Sequence, residues 1–376
     1  EIEKIKGSHS SEIKNILGPR IFLISDPILS KMGLYNSLVD HLISKGIKIK
    51  IFDRVNEDPS IENLQSAIEE ATIFLATGVI GFGGGSPMDV AKLTALMLGS
   101  NDKIDEIWGV DKVVGPRLPL ILIPTTAGTG SEVTPISIIT LSNSEKKGVS
   151  SKVIIPDLAI LDPILTSDLP SKTTASTGID AMVHAIEAFT SKSKNNNPIS
   201  KALAEKSLML LSDSITKAVE NGKNDAVARN QMLLGSLMAG MSFANSPVAA
   251  VHALAYPLGG IYKITHGLSN ALILPYVIRF NMKDDKTRDS YLHLSDIIFP
   301  QLKHIKYLED KTLAFVNEFI NLSKRFNLPT RIRDLGIPKK ACKTMSIEAM
   351  KQERLLINNP IRIKQEDAQK IYEQAW

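Results

Sequence analysis

The chain reads as an α/β domain built on a parallel sheet, followed by an all-helical domain. Three observations predict this. At 376 residues it has the length of two ordinary domains. Its first part alternates short runs rich in β-formers with stretches of helical spacing. From about residue 163 the strand signal stops, and apolar residues recur every three or four positions. Turn residues in LDPILTSDLPSKT, 161–173, place the boundary there, giving domains 1–165 and 166–376.

RIFLIS, 20–25, is a strand ended by Asp26-Pro27. Residues 29–45 carry helical spacing, 47–52 alternate with period two, and 61–71 are helical again. Residues 79–82 form a third strand that runs into GGGSPMD, with a helix expected over 90–98. Residues 118–123 form a fourth strand that runs into PTTAGTGSE, 124–132. Residues 135–141 and 148–155 read as a hairpin about 142–147. In parallel sheets ligands bind at the carboxyl ends of strands, where both small-residue turns fall. Glycine lets the backbone approach a phosphate, and a helix start favours an anion. A tight strand–helix turn without a ligand is the other reading of the first turn. Thr125, Thr126 and Thr129 can donate to phosphate or ribose oxygens, so the two turns together suit a dinucleotide. An acid such as Asp26 at the end of the first strand can accept from ribose hydroxyls and would repel a 2′-phosphate, favouring NAD over NADP; a plain Asp-Pro turn fits as well. Lys147 could reach a cofactor or be a surface lysine.

In the second half, helices are expected over 200–219, 225–244, 248–258, 267–281, 311–325 and 365–376, punctuated by Pro247, Pro257, Gly259-Gly260 and Pro275. The stretch TGIDAMVHAIEAF, 177–189, holds Asp180 and His184 four apart on one helical face, with Glu187 the only other charge. A buried carboxylate needs a partner. A hydrogen-bonded core pair and a metal ion both qualify. His252 and His266 also lie in apolar helices. Three imidazoles and one carboxylate suit Fe or Zn, not Ca or Mg. His9, His41, His293 and His304 lie in more polar stretches and are set aside.

Composition excludes several classes. A hydrophobic fraction of 43% and a charged fraction of 22% describe a globular protein. The net charge of +4 is small and dispersed, so no nucleic-acid partner is expected. The single cysteine, Cys342, rules out an internal disulfide and a Cys-rich zinc site, and fits a reducing cytosol. No apolar run is long enough to cross a bilayer, and no signal peptide is visible in EIEKIKGSHSS.

With these residues in hand, the chain resembles the iron-containing, group III alcohol dehydrogenases. The matching stretches are GFGGGSPMDVAK at 81–92, PTTAGTGSEVTP at 124–135, TGIDAMVHAIE at 177–187, VHALAYPLGG at 251–260 and HGLSNALILPYV at 266–277. The similarity runs from Asp26 to the closing IYEQAW. It implies a Rossmann-like NAD-binding domain and an all-helical metal domain in a dehydroquinate synthase-like architecture, with the active site in the cleft between them. It implies Asp180, His184, His252 and His266 as ligands of Fe(II), with Zn possible. It places Gly84, Gly85, Ser86 and Asp89 at the cofactor pyrophosphate, with Thr125, Thr126, Thr129, Ile138 and Lys147 as further contacts. It implies reversible hydride transfer between NAD and a small alcohol or aldehyde, in a cytoplasmic homodimer. Many members carry a histidine four residues after the third ligand; here Tyr256 stands there, read as shaping the pocket. A metal-dependent lyase of the dehydroquinate-synthase type is the alternative, disfavoured by the scarcity of basic residues around 180–266. A hydroxyacid or maleylacetate-type reductase lies within the family, and a metal-free NAD sensor is opposed by the intact ligand set.

Overall fold

The computed structural model describes residues 10–141 and 146–376. His9 and residues 142–145, where the turn of the hairpin is expected, lie outside the described residues. The chain forms two compact units: residues 1–126 with 131–166, and residues 127–130 with 167–376.

The first unit is an α/β layer structure. Its sheet consists of β1 (Arg20–Ile24), β2 (Lys48–Phe52), β3 (Gly78–Gly83), β5 (Leu120–Pro124) and the two-residue β8 (Leu158–Ala159), in the order β2-β1-β3-β5-β8. All four pairings are parallel. The sequence patterns follow from position. Central β3 and β5 are buried throughout and read as apolar runs; edge strand β2 alternates exposed and half-buried residues up to the buried Phe52, hence IKIKIF. Successive residues of β1 face opposite ways: Phe22 and Ile24 join Leu64 and Leu93 on one side, Ile21 and Leu23 join Leu38 and Leu42 on the other. Helices α4 (Ile61–Phe74) and α5 (Gly85–Gly99) supply the first side, and α1 (Ser10–Leu17) and α3 (Asn36–Ser44) the second.

Two expectations change here. The helix expected over 29–45 is two helices, α2 (Pro27–Met32) and α3. Gly33, at φ 64°, closes the first by donating to the carbonyls of Leu29 and Ser30. The helix expected from residue 90 begins at Gly85, so only Gly84 separates it from β3. The hairpin is present as β6 (Ile136–Thr140) against β7 (Lys146–Ser150), and a third strand, β4 (Gly109–Val110), pairs parallel with β7.

The second unit is helical. Its helices include α6 (Ser171–Thr190), α7 (Pro198–Asn221), α8 (Ala226–Asn245), α9 (Ala250–Tyr262), α10 (His266–Asn281), α11 (Asp285–Ile298), α12 (Leu308–Arg325), α13 (Ala341–Met350), the short α14 (Glu353–Leu356) and α15 (Gln365–Ala375). Helices α11, α13 and α14 were not expected. Pro257 and Pro275 do not end helices; they lie inside α9 and α10. Proline costs a helix one hydrogen bond, and here both helices are held by burial of nearly every side. Among the described residues no helix is long and apolar enough to cross a membrane.

Candidate metal centre

The centre is built on α6, α9 and α10. Asp180 and His184 stand one turn apart on α6, His252 lies in the first turn of α9, and His266 is the first residue of α10. Ligand atoms of all four lie within 4.8 Å of one another. Asp180, His184 and His252 are buried, while the His266 side chain is 37% exposed. Close backbone approach makes this convergence possible at two glycines. A Cβ on Gly267 would stand 2.5 Å from the Ser176 carbonyl oxygen and 3.4 Å from the Asp180 Cβ, so only glycine lets the start of α10 settle on α6. A Cβ on Gly128 would stand 2.8 Å from the Thr177 Cβ. The bare backbone there brings the Gly128 carbonyl within 3.1 Å of His184 Nδ1.

The imidazoles are oriented from behind. His184 Nδ1–H donates to Gly128 O. His252 Nδ1 lies 2.7 Å from Glu187 Oε2. Both rings therefore keep Nε2 for a ligand, the arrangement usual in metal-binding histidines. His184 is stacked between the Phe243 ring at 4.5 Å and the His252 ring at 4.7 Å. Burial, chiefly, pushes His184 down to about 3, so it is neutral at neutral pH with its lone pair free. Burial works to raise the Asp180 carboxyl, but His184, His266, His252 and the Asn270 amide together hold it below its ordinary value.

The donor set fits a cation. Asn270 Nδ2 lies 2.6 Å from Asp180 Oδ1, 3.3 Å from His252 Nε2 and 3.2 Å from His266 Nε2. One amide has two N–H groups, too few for three acceptors. The Asn270 Oδ1 is buried with no hydrogen-bond partner. A largely buried cluster of one carboxylate and three imidazoles is the environment a divalent transition metal satisfies. Glu187 and Asn270 were missed as site residues from sequence. Their signal was spacing: Glu187 is three residues beyond His184, and Asn270 four beyond His266.

The expected cofactor residues divide. In the first unit, Thr125 N donates to Gly83 O, so the turns after β3 and β5 lie side by side at the strand ends. Gly84 precedes α5 with no side-chain cap, leaving the amides at its start free of one, and Gly85 and Ser86 form its first turn. Thr125 is buried and Thr126 half-buried, and a Cβ on Gly84 would lie 3.5 Å from Thr126 Oγ1. Asp26 caps α2, its Oδ1 accepting from Ile28 N and Leu29 N. Asp89 is turned to the hairpin: Oδ1 accepts from Ser131 Oγ at 2.7 Å and Oδ2 from Ile138 N at 2.9 Å. That commits both its oxygens and the Ile138 amide to holding α5 against β6. Lys147 lies on β7 opposite Ile139, half-buried. Thr129 falls in the second unit with Gly128. Tyr256 has its ring centre 6.3 Å from that of His266, and its hydroxyl accepts from Arg354 at 3.5 Å.

The comparisons cover nearly the whole chain. Residues 6–163 match the family model described as iron-containing alcohol dehydrogenase, and residues 174–376 match that described as Fe-containing alcohol dehydrogenase family, C-terminal. The chain is 37% identical over 370 residues to long-chain-alcohol dehydrogenase 1 of Geobacillus thermodenitrificans, covering 97% of this chain and 91% of that one. Its fold is similar to that of an alcohol dehydrogenase from Oenococcus oeni, with a TM-score of 0.92 and 30% identity over 100% and 96% of the two chains. It is also similar to a sulfoacetaldehyde reductase from Bifidobacterium kashiwanohense in complex with NAD+, with a TM-score of 0.84 and 28% identity over 98% and 95%.

Proposed function

The chain belongs to the iron-containing alcohol dehydrogenase family, and from that premise we propose that it moves hydride reversibly between NAD and a primary alcohol, diol or related hydroxy compound, with Fe(II) held by Asp180, His184, His252 and His266. The observation that carries this reading is the convergence of one carboxylate and three imidazoles, from three helices, within 4.8 Å. The same donors accept Zn(II); iron is preferred here on family membership.

When bound, the ion supplies Lewis acidity toward the substrate oxygen and NAD supplies the hydride acceptor. The chain's part is binding and orientation. Three imidazole ligands and one carboxylate would offset only part of a divalent charge, which would leave a positive field for an oxygen ligand. Burial of Asp180, His184 and His252 keeps bulk water from that field. His266 is the most exposed of the four, which sets the open side of the centre beside Tyr256, the residue we assign to shaping the substrate space.

For the cofactor, Gly84, Gly85 and Ser86 offer the amides of a fifteen-residue helix to a pyrophosphate, with Thr125 and Thr126 beside them. Asp26, two residues past β1 at the cap of α2, favours a free ribose hydroxyl over a 2′-phosphate, hence NAD. Thr129, Ile138 and Lys147 are assigned as peripheral cofactor contacts, and Asp89 as the residue that holds the loop in place. The resemblance also supports a homodimer, and the one buried cysteine suits the cytoplasm.

The test is NADH oxidation against a panel of aldehydes, using protein stripped of metal and then reloaded with Fe(II) or Zn(II). Turnover is expected only after reloading. Equal rates before and after reloading would overturn the metal assignment.

A further inference from the structure

Glu187 is 4% exposed and carries three hydrogen bonds from one neighbouring helix. Its Oε1 accepts from Val251 N at 2.6 Å. Its Oε2 accepts from Ala249 N at 3.0 Å and faces His252 Nδ1 at 2.7 Å. Helix α9 begins at Ala250, and its cap residue, Ala249, supplies no side-chain bond of its own. The amides at a helix start need acceptors, usually supplied by a Ser, Thr, Asp or Asn at the cap. Here the acceptor comes from another helix, and it also completes the negative charge that a helix start favours.

The same carboxylate decides the state of His252. Both Glu187 oxygens already accept backbone N–H bonds, so the side chain stands here as an acceptor. At 2.7 Å, therefore, His252 Nδ1 must carry the proton, and Nε2 is left with its lone pair. The far side agrees: Asn270 Nδ2, a donor, lies 3.3 Å from that Nε2. The tautomer thus follows from the acceptor chemistry at Nδ1, and the amide near Nε2 is compatible with it.

We propose that Glu187 is a positioning residue that sets two things with one side chain: the start of α9, through Ala249 N and Val251 N, and the metal-ready tautomer of His252, through Nδ1. The metal affinity of the centre then depends on a residue that touches no metal. This rests on the ligand assignment made above. Sequence spacing supports the geometry, since Asp180, His184 and Glu187 at i, i+4 and i+7 share one face of α6.

The deciding variant is Glu187→Gln. A carboxamide has one acceptor oxygen and two N–H donors. With its oxygen on an α9 amide, its NH2 faces His252 and requires Nδ1 to accept. The proton then moves to Nε2, the wrong tautomer for binding metal. Zn(II) affinity, measured by competition with a chelator, is expected to fall ~10–100-fold, the usual cost of losing such an outer partner. Glu187→Asp keeps two acceptor oxygens and is expected to recover part of the loss. The readout that a merely structural role would not move is the tautomer. In metal-free protein with 15N-labelled histidine, His252, assigned by its absence in His252→Ala, is expected as Nδ1–H in the wild type and Nε2–H in Glu187→Gln. Unchanged Zn(II) affinity in the variant, or lost affinity with the Nδ1–H form retained, overturns the proposal. Should the variant not fold, the wild-type spectrum still decides: an Nε2–H His252 there is fatal. Wild-type protein that takes up no metal would instead sink the functional reading, and the wild-type tautomer would still judge this one.

Discussion

Gly128 has no side chain, and the geometry of His184 depends on that. The segment 127–130 packs with the helical unit, where a Cβ on Gly128 would lie 2.8 Å from the Thr177 Cβ and 3.0 Å from the Thr177 carbonyl oxygen. Backbone and a β-branched Cβ cannot yield cheaply, so Gly128→Ala pushes the segment off α6. The expected cost is ~1–3 kcal/mol of overpacking, together with loss of the 3.1 Å bond that orients His184. Urea denaturation and metal content of the purified variant check this; wild-type values for both would refute it. At this scale the sequence was partly legible. Asp180 and His184 stood out because ionisable groups inside an apolar helix need partners. In the sequence Gly128 reads only as part of a ligand-binding turn, because a close approach to a helix distant in sequence leaves no local pattern. The backbone amides of Ala249 and Val251, which give Glu187 its work, have no side-chain signature at all.

At the scale of elements, α5 is locked to β6 and the turn before it by a buried polar cluster. Lys92 Nζ donates to Ser131 Oγ at 2.8 Å and Ile136 O at 2.7 Å, with Asp89 Oδ1 at 3.9 Å. Burial, partly offset by a bond from its own backbone amide and by Lys92, pushes Glu132 up from 4.5 to about 7. Burial, partly offset by Asp89 and Glu132, brings Lys92 down from 10.5 to about 8. The signs follow from proton binding. Between 4.5 and about 7 the native state holds the Glu132 proton and the unfolded chain does not, so that stabilising contribution is complete below 4.5 and fades as pH rises through 7. Between about 8 and 10.5 the unfolded chain holds the Lys92 proton and the native state does not, so stability recovers. The unfolding free energy from urea denaturation is expected to fall from pH 5 to pH 7, by ~2 kcal/mol for the full Glu132 shift, and to rise again above pH 8. Glu132→Gln should flatten the acid limb alone. An unchanged acid limb in that variant would show that another group carries it. Period and position explain which elements were readable. Buried central strands and strongly apolar helices announced themselves, whereas α11 buries only a narrow stripe that includes Tyr291, Leu294 and Ile298 and reads as polar. The split between α2 and α3 depended on one left-handed residue, Gly33.

For the whole molecule, the division of labour between the units makes metal binding a stability question as well as a catalytic one. All four proposed ligands, and the Gly128 carbonyl and Glu187 behind them, belong to the helical unit. They join α6, α9 and α10, which are held together otherwise by apolar packing, by the Asn270 amide and by the Glu187 bonds to Ala249 N and Val251 N. The alternation of strands and helices, then helices alone, was enough to foresee two units. The return of 127–130 to the helical one was not, because periodicity reports neighbours in sequence and not in space. An ion that binds only the folded helical unit stabilises that unit by mass action, about 2.7 kcal/mol at a free concentration one hundred times its Kd. The α/β unit contributes no ligand to this set. Scanning calorimetry of metal-stripped protein, with Zn(II) or Fe(II) added back, is therefore expected to move the transition of the helical unit upward and, where the two units melt separately, to leave the other in place. In His252→Ala the metal-dependent shift should shrink to near zero, because one donor of four is gone and the Glu187 carboxylate loses its imidazole partner. A wild-type transition indifferent to added metal, or a His252→Ala transition that shifts as far as the wild type, would mean that these side chains do not share an ion.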